Sequence, residues 1–366
     1  MVFSLFVAIL LIRQFLVVRS ELICDPTVKP KPDFHCDEDA KKLYTDGKDD
    51  EGNARLLFHR SLDQRKSIRD YYDSKFFWTR KRRCGRHCYY DEIYPANLSD
   101  ELGRQSLYNL DKLYDMTFTN FEDILTGVVH GTITRDWKEV GGIEEVLCAN
   151  DNEMKKLLRE SYEKNFKIKM EEDFKTFNKK TQRIRMLCSN IEVPEFCFSL
   201  QPDRCQDKKI SKEQAAEEAK ALHDIDIENE KEKFKDKLKE FLNKYCEPDL
   251  KLIFQAYRKD DTHGIDTDVE KVFEGEERRV YDMIVRYIED TCKCYADELH
   301  KAVKGGGCDY DKVHRIILTR SERDLKCILD NFRSRKDQTF TERLKEETPL
   351  EKLYLTSIRY LCGNPE

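Results

Sequence analysis

Along most of the chain, apolar residues recur three or four positions apart, between runs rich in Glu, Lys and Arg. That spacing is the 3.6-residue period of amphipathic helices and not the alternation of strands, so it predicts a nearly all-α protein. The C-terminal stretch is the clearest. Tyr295 to Lys304 reads as a helix with Leu299, Ala302 and Val303 on its apolar side. A glycine turn follows, Gly305-Gly306-Gly307, and Asp309 is placed to cap the next helix, which carries Val313, Ile316 and Ile317. Ser321-Glu322-Arg323-Asp324 opens a third helix, with Leu325, Ile328, Leu329 and Phe332. A short fourth holds Phe340 and Leu344. Thr348-Pro349 starts a fifth, with Leu353, Leu355, Ile358 and Leu361, since proline suits the first helical turn.

The pattern recurs at long range. Eight residues after Arg60, Asn150, Tyr245 and Arg320 stand Ile68, Leu158, Ile253 and Ile328. Twelve residues after the same anchors stand Tyr72, Tyr162, Tyr257 and Phe332. The anchors are 90, 95 and 75 residues apart. Any amphipathic helix has apolar residues at such offsets, but four diverged copies of one helical unit explain the recurrence better than chance.

Composition narrows the class. The 366 residues suffice for one large or two medium domains; 38% are charged, and Gly (14) and Pro (9) are few. Met1 to Ser20 differs from the rest: Val2 to Ile12 is a short apolar core and Val18-Arg19-Ser20 ends on a small residue, which fits a secretory signal peptide. Arg13 interrupts the apolar core and no Lys or Arg precedes it, so an uncleaved anchor or a different start are the other readings. Removing residues 1–20 leaves 64 basic and 72 acidic residues, a net charge of −8. Such a balance argues against nucleic acid as a partner. It also means that an anionic membrane surface would be met only through a bridging cation.

The 14 cysteines, in an exported protein, suggest several disulfides of undetermined connectivity. Cys84 with Cys88 and Cys197 with Cys205 are close enough to form local pairs. Zinc is the competing reading for Cys84, His87 and Cys88 and for Cys292 and Cys294, but neither group has a second half at standard spacing. Asn97-Leu98-Ser99 is a glycosylation sequon, usable on export. The eight histidines are scattered outside any Ser/His/Asp or Cys/His pattern, so an enzyme is not expected.

The glycine turn carries the most specific chemistry. Glycine tolerates φ > 0, so such a turn can aim several backbone carbonyls at one point. Glu347, 40 residues after Gly307, can close the ring of oxygens. Carbonyl and carboxylate oxygens are the ligands calcium takes. The plainer alternative is a turn that only ends a helix, with Glu347 as a surface charge.

Val303-Lys304-Gly305-Gly306-Gly307-Cys308-Asp309, then Leu318-Thr319-Arg320-Ser321-Glu322-Arg323-Asp324-Leu325, Glu346-Glu347-Thr348 and Leu361-Cys362-Gly363 closely resemble the last repeat of an annexin. That family's repeat loop reads M-K-G-x-G-T-D and is followed, about forty residues after its second glycine, by an acidic residue. Phe58 to Arg65 is similar to the corresponding first-repeat segment. Thirteen residues before Arg60 lies Gly47, as Gly307 lies before Arg320. Ser99-Asp100-Glu101-Leu102 resembles the acidic corner, at 54 rather than 40 residues from Gly47, with an insertion near residues 80–95 making the difference. The middle copies are more diverged.

The resemblance implies a curved disc of four five-helix repeats, here with cysteine-rich insertions: residues 21–120, 121–192, 193–292 (with a linker) and 293–366, after a signal peptide at 1–20. It implies calcium held by the carbonyls of Val303, Gly305 and Gly307 with the Glu347 carboxylate, and Lys304 and Gly306 as contacts to a lipid headgroup. A weaker set is Leu43 and Gly47 with Glu101, where Thr45 replaces the first glycine. A doubtful one is Gly131 with Asp173, and the third copy has none. The function implied is calcium-dependent binding of anionic phospholipid, here by a secreted protein with no catalytic centre expected. The alternative is an extracellular, disulfide-containing structural or protein-interaction role on the same scaffold.

Overall fold

The computed structural model describes residues 25–45, 49–76, 98, 102, 108–134, 142–173, 210–260, 263–305, 307–336, 338–347 and 352–363. They form helices joined by turns, with no β-strand among them. The fold is all-α, as the hydrophobic period predicts. No helix among the described residues is long and apolar enough to cross a membrane. Met1 to Ser20, Gly47, Cys84, His87, Cys88, Asn97, Glu101, Cys197, Cys205, Gly306 and Thr348-Pro349 lie outside the described residues.

The recurring pattern corresponds to four helices: Leu62–Phe76, Asn152–Phe166, Glu247–Asp260 and Leu325–Lys336. Ile68, Leu158, Ile253 and Ile328 are completely buried, and so, nearly, are the aromatic residues four positions on. Four residues are just over one helical turn, so each pair forms a seam on one face. Burial contributes about 1.5–3 kcal/mol for each such side chain.

Polar residues set the helix starts. Asp151 accepts from the Met154 amide at 2.8 Å and Asp309 from the Lys312 amide at 3.0 Å. Ser211 and Gln214 cap reciprocally at the start of Lys212–His223. The charged run from Glu228 becomes the helix Lys231–Lys244, with Phe234, Leu238, Phe241 and Leu242 buried and Lys–Glu pairs along its polar side. Ser321 to Asp324 form a turn, and the helix expected there begins at Leu325.

The described residues divide into two compact units, one drawn from 1–118 and 303–366, the other from 119–302. In the first unit the two ends of the chain are joined. Thr27 Oγ1 donates to the Leu361 carbonyl at 2.6 Å, the Val28 amide donates to the Ser321 carbonyl at 3.0 Å, and Lys112 pairs with Asp311. Arg65 is fully buried. Its Nε donates to the Thr117 carbonyl (2.9 Å), its Nη1 to the Arg60 carbonyl (2.6 Å), and its Nη2 lies 3.7 Å from Glu322. Glu322 in turn accepts from the Leu62 amide at 2.5 Å. Burial raises the Glu322 carboxyl above its usual range, and the Arg65 charge opposes that rise.

In the second unit Tyr295 donates its hydroxyl hydrogen to the Ala149 carbonyl. Cys246, Cys292 and, in the first unit, Cys327 each take part in a disulfide. Cys294 is a buried thiol whose pKa burial pushes up to about 12. Cys292 and Cys294 therefore do not form half of a zinc site: one is oxidised and the other is held protonated, whereas zinc takes thiolates.

Two stability predictions concern the first unit. Arg65→Ala leaves Glu322 buried without its countercharge and two carbonyls without their donor, which costs about 3–5 kcal/mol. Urea unfolding at neutral pH measures this, and a loss under 1 kcal/mol would contradict it. His314 is completely buried, with Nε2 3.1 Å from the Tyr354 hydroxyl, and burial pushes its pKa down to about 4. As pH falls, the unfolded chain takes up this proton first. The stabilisation is therefore complete above the ordinary histidine value and is lost as pH drops from about 6.5 to about 4, by roughly 3 kcal/mol. His314→Gln flattens that acid limb in unfolding curves measured across this range; an unaltered slope contradicts the assignment.

Candidate functional site

Val303 follows the helix Thr291–Ala302 in the chain and is buried. Lys304 is exposed, and Gly305 has φ 74°, a left-handed conformation in which a side chain would be strained although the space beside it is open. The turn ends at Asp309, the cap of the helix Tyr310–Arg320.

Glu347 is the last residue of the helix Phe340–Glu347. Buried Phe340 and Leu344 fix that helix, which packs against Leu325–Lys336 and Lys352–Leu361. Phe332 and Phe340 meet edge to face with centroids 5.4 Å apart. The Glu347 side chain is 12% exposed.

Between the loop and this carboxylate lies Arg343. Its Nε donates to the Val303 carbonyl at 3.2 Å and its Nη2 to Glu347 Oε1 at 2.5 Å. Its Nη1 donates to Glu346 Oε2 at 2.6 Å, and Glu346 Oε1 accepts from Gln338 Nε2 at 2.6 Å. A single guanidinium thus spans the Val303 carbonyl and the Glu347 carboxylate, so the two oxygens face one position of positive charge. Both acceptors are hard oxygens, the kind of ligand that calcium takes. Among the described residues no group of three or more His, Cys, Asp or Glu is arranged for a metal. A metal ion here would need backbone oxygens as well as Glu347.

The other expected sets look different. Leu43 is buried in the helix Cys36–Thr45, and Thr45, at its end, donates to the Lys42 carbonyl at 3.1 Å. The partners Gly47 and Glu101 are outside the described residues. Gly131, expected at a loop position, lies within the helix Phe121–Thr134. Asp173 accepts from the Tyr162 hydroxyl at 2.6 Å and lies 3.5 Å from His130 Nδ1. The third copy repeats this arrangement: Asp268 accepts from the Tyr257 hydroxyl at 2.5 Å, with His263 Nε2 at 3.1 Å and Lys271 Nζ at 3.0 Å.

These distances correct the register. Each aspartate stands eleven residues after its tyrosine, as Arg343 stands eleven after Phe332. Applying the repeat spacings of 75 and 95 to Glu347 leads to Val272 and Phe177. Asp173 is therefore the counterpart of Arg343, not of Glu347, and its carboxylate is engaged by a tyrosine hydroxyl. Reading outward from glycines missed Arg343. The signal that finds it is the same repeat spacing, counted through the acidic helix.

The sequence model of the annexin family matches residues 295–349. Mouse annexin A13 is 27% identical over 321 residues, covering 86% of this chain and 92% of that protein. Among solved structures, annexin III superposes with a TM-score of 0.73 at 21% identity, covering 93% of this chain and 97% of that one. A calcium-bound annexin (Sm)1 superposes with a TM-score of 0.71 at 19% identity, covering 93% and 94%.

Proposed function

We propose that this chain, which belongs to the annexin family, binds calcium at the Gly305 loop and, through it, anionic phospholipid. Proteins of this family generally bind phospholipid in a calcium-dependent way. The observation that carries the reading is the convergence of the Val303 carbonyl and the Glu347 carboxylate on one cation position. The carbonyls of Val303, Gly305 and Gly307 and the carboxylate of Glu347 would hold the ion. Bound there, calcium would supply positive charge and open coordination positions for a lipid phosphoryl oxygen.

The chain's own residues have separate parts in this. Gly305 permits the turn, Glu347 would supply the negative charge, and Lys304, which is exposed, would meet a headgroup. The net negative charge of the chain, −6, supports a bridging role for the ion, since direct attraction to an anionic surface is not available. The disulfide-bonded Cys246, Cys292 and Cys327 support an oxidising, extracellular location, in line with the leader-like Met1 to Ser20. Extracellular calcium modules commonly work at about 10⁻⁴–10⁻³ M, so even a weak loop would be filled there.

One observation favours the second reading, a structural or protein-interaction role. The middle copies have Phe177 and Val272 where Glu347 stands in the fourth, so they lack this acid.

Co-sedimentation with phosphatidylserine vesicles tests the first reading. The protein pellets in millimolar calcium and is released by chelator. Glu347→Gln raises the calcium needed by at least about tenfold, since changes even in the outer shell of a metal site cost about 10–100-fold. Binding that ignores calcium, or none at millimolar calcium, favours the second reading.

A further inference from the structure

We infer that Arg343 is a tethered cation that competes with calcium for the Gly305 loop, so that calcium enters this site only by exchange for the guanidinium. The inference rests on the calcium reading of the same site and adds to it the residue that sets how much calcium the site requires.

The geometry requires the competition. Calcium at this loop would use the Val303 carbonyl and the Glu347 carboxylate, and both already accept hydrogen bonds from Arg343. Charge-assisted bonds of this kind are the strong ones, and arginine's planar fork makes two or three of them at once. The third goes to Glu346, itself held by Gln338, which keeps the guanidinium at the mouth of the loop. Glu347 is only 12% exposed, so water screens this position weakly. A divalent ion and a guanidinium sharing one carboxylate and one carbonyl would repel each other at close range. One must leave.

An independent observation concerns the register. In the second and third copies this helix position is an aspartate that takes the hydroxyl hydrogen of the tyrosine eleven residues before it. In the fourth copy both members differ: Phe332 has no hydroxyl to donate and Arg343 has no acceptor to offer. Arg343 is therefore not held by the contact that holds its counterparts and turns instead toward the Val303 carbonyl and Glu347. The fourth copy thus carries a cation on the same helix as its acid, one turn away.

A tether of one helical turn gives the guanidinium a high effective concentration at the carboxylate. Calcium then sees only the fraction of molecules in which Arg343 has swung out. Its apparent dissociation constant is raised by the inverse of that fraction. If the open fraction is about one tenth, the penalty is about tenfold, or about 1.4 kcal/mol.

Calorimetric titration of the full chain with calcium alone, without lipid, tests this. Arg343→Gln tightens calcium binding by about tenfold, Arg343→Lys, which keeps the charge but loses the fork, falls between that variant and wild type, and Arg343→Gln with Glu347→Gln shows no gain over Glu347→Gln. If wild type binds calcium through Glu347 and Arg343→Gln binds no more tightly, exchange is overturned and the calcium reading stands. If only Arg343→Gln binds at millimolar calcium, exchange is supported and the calcium reading of the native chain fails. If neither binds, both fail. Should Arg343→Gln not fold, the Nε–H resonance of Arg343 in wild type decides: it moves on calcium addition if the guanidinium leaves, and a fixed resonance in calcium-saturated protein overturns the exchange.

Discussion

A carboxylate and a backbone carbonyl that face each other from distant parts of a chain need positive charge between them. Val303 and Glu347 are 44 residues apart, yet one guanidinium reaches both. Glu347 is only 12% exposed, so little water reaches its charge and the guanidinium supplies the countercharge. The rest of the fourth copy serves to hold these two oxygens in place. Ile328 and Phe332 anchor one helix in the core, Phe332 and Phe340 lock the next against it, and Leu344 sets the face on which Arg343 and Glu347 emerge.

The four copies use one scaffold for different chemistry. The apolar seam that begins with Ile68, Leu158, Ile253 and Ile328 is common to all, and it fixes one helix of each copy in the core. What varies is the residue presented eleven positions after the aromatic. In the middle copies a tyrosine hydroxyl and an aspartate pin two helices together, a contact internal to the second unit. In the fourth an arginine occupies that register and is directed at the Val303 carbonyl. Carboxylates near the same corner thus have unlike partners: Asp173 and Asp268 accept from tyrosine hydroxyls, while Glu347 accepts from Arg343.

Much of this was legible in the sequence, because buried positions repeat with the helical period and at fixed long spacings. The seams, the Asp309 cap, the solvated face of Lys231–Lys244 and the glycine turn follow from local rules that tertiary structure did not override. Gly131 was misjudged because a glycine is compatible with a helix interior at a modest cost, and the helix Phe121–Thr134 runs through it. Asp173 differs from the expectation because an acid at roughly the right distance is a weak signal; four residues of register separate it from the counterpart of Glu347. Arg343 was overlooked because a basic residue does not suggest a calcium site. The repeat spacing places it in the helix register, and its distances to Val303 and Glu347 show that it bridges the two.

The most direct measurement is a crystal structure of the chain grown in millimolar calcium. The account predicts an ion within about 2.3–2.6 Å of the Val303 carbonyl and the Glu347 carboxylate, with Arg343 turned away from both. Arg343 still bridging those two oxygens, with no ion at the loop, would contradict it.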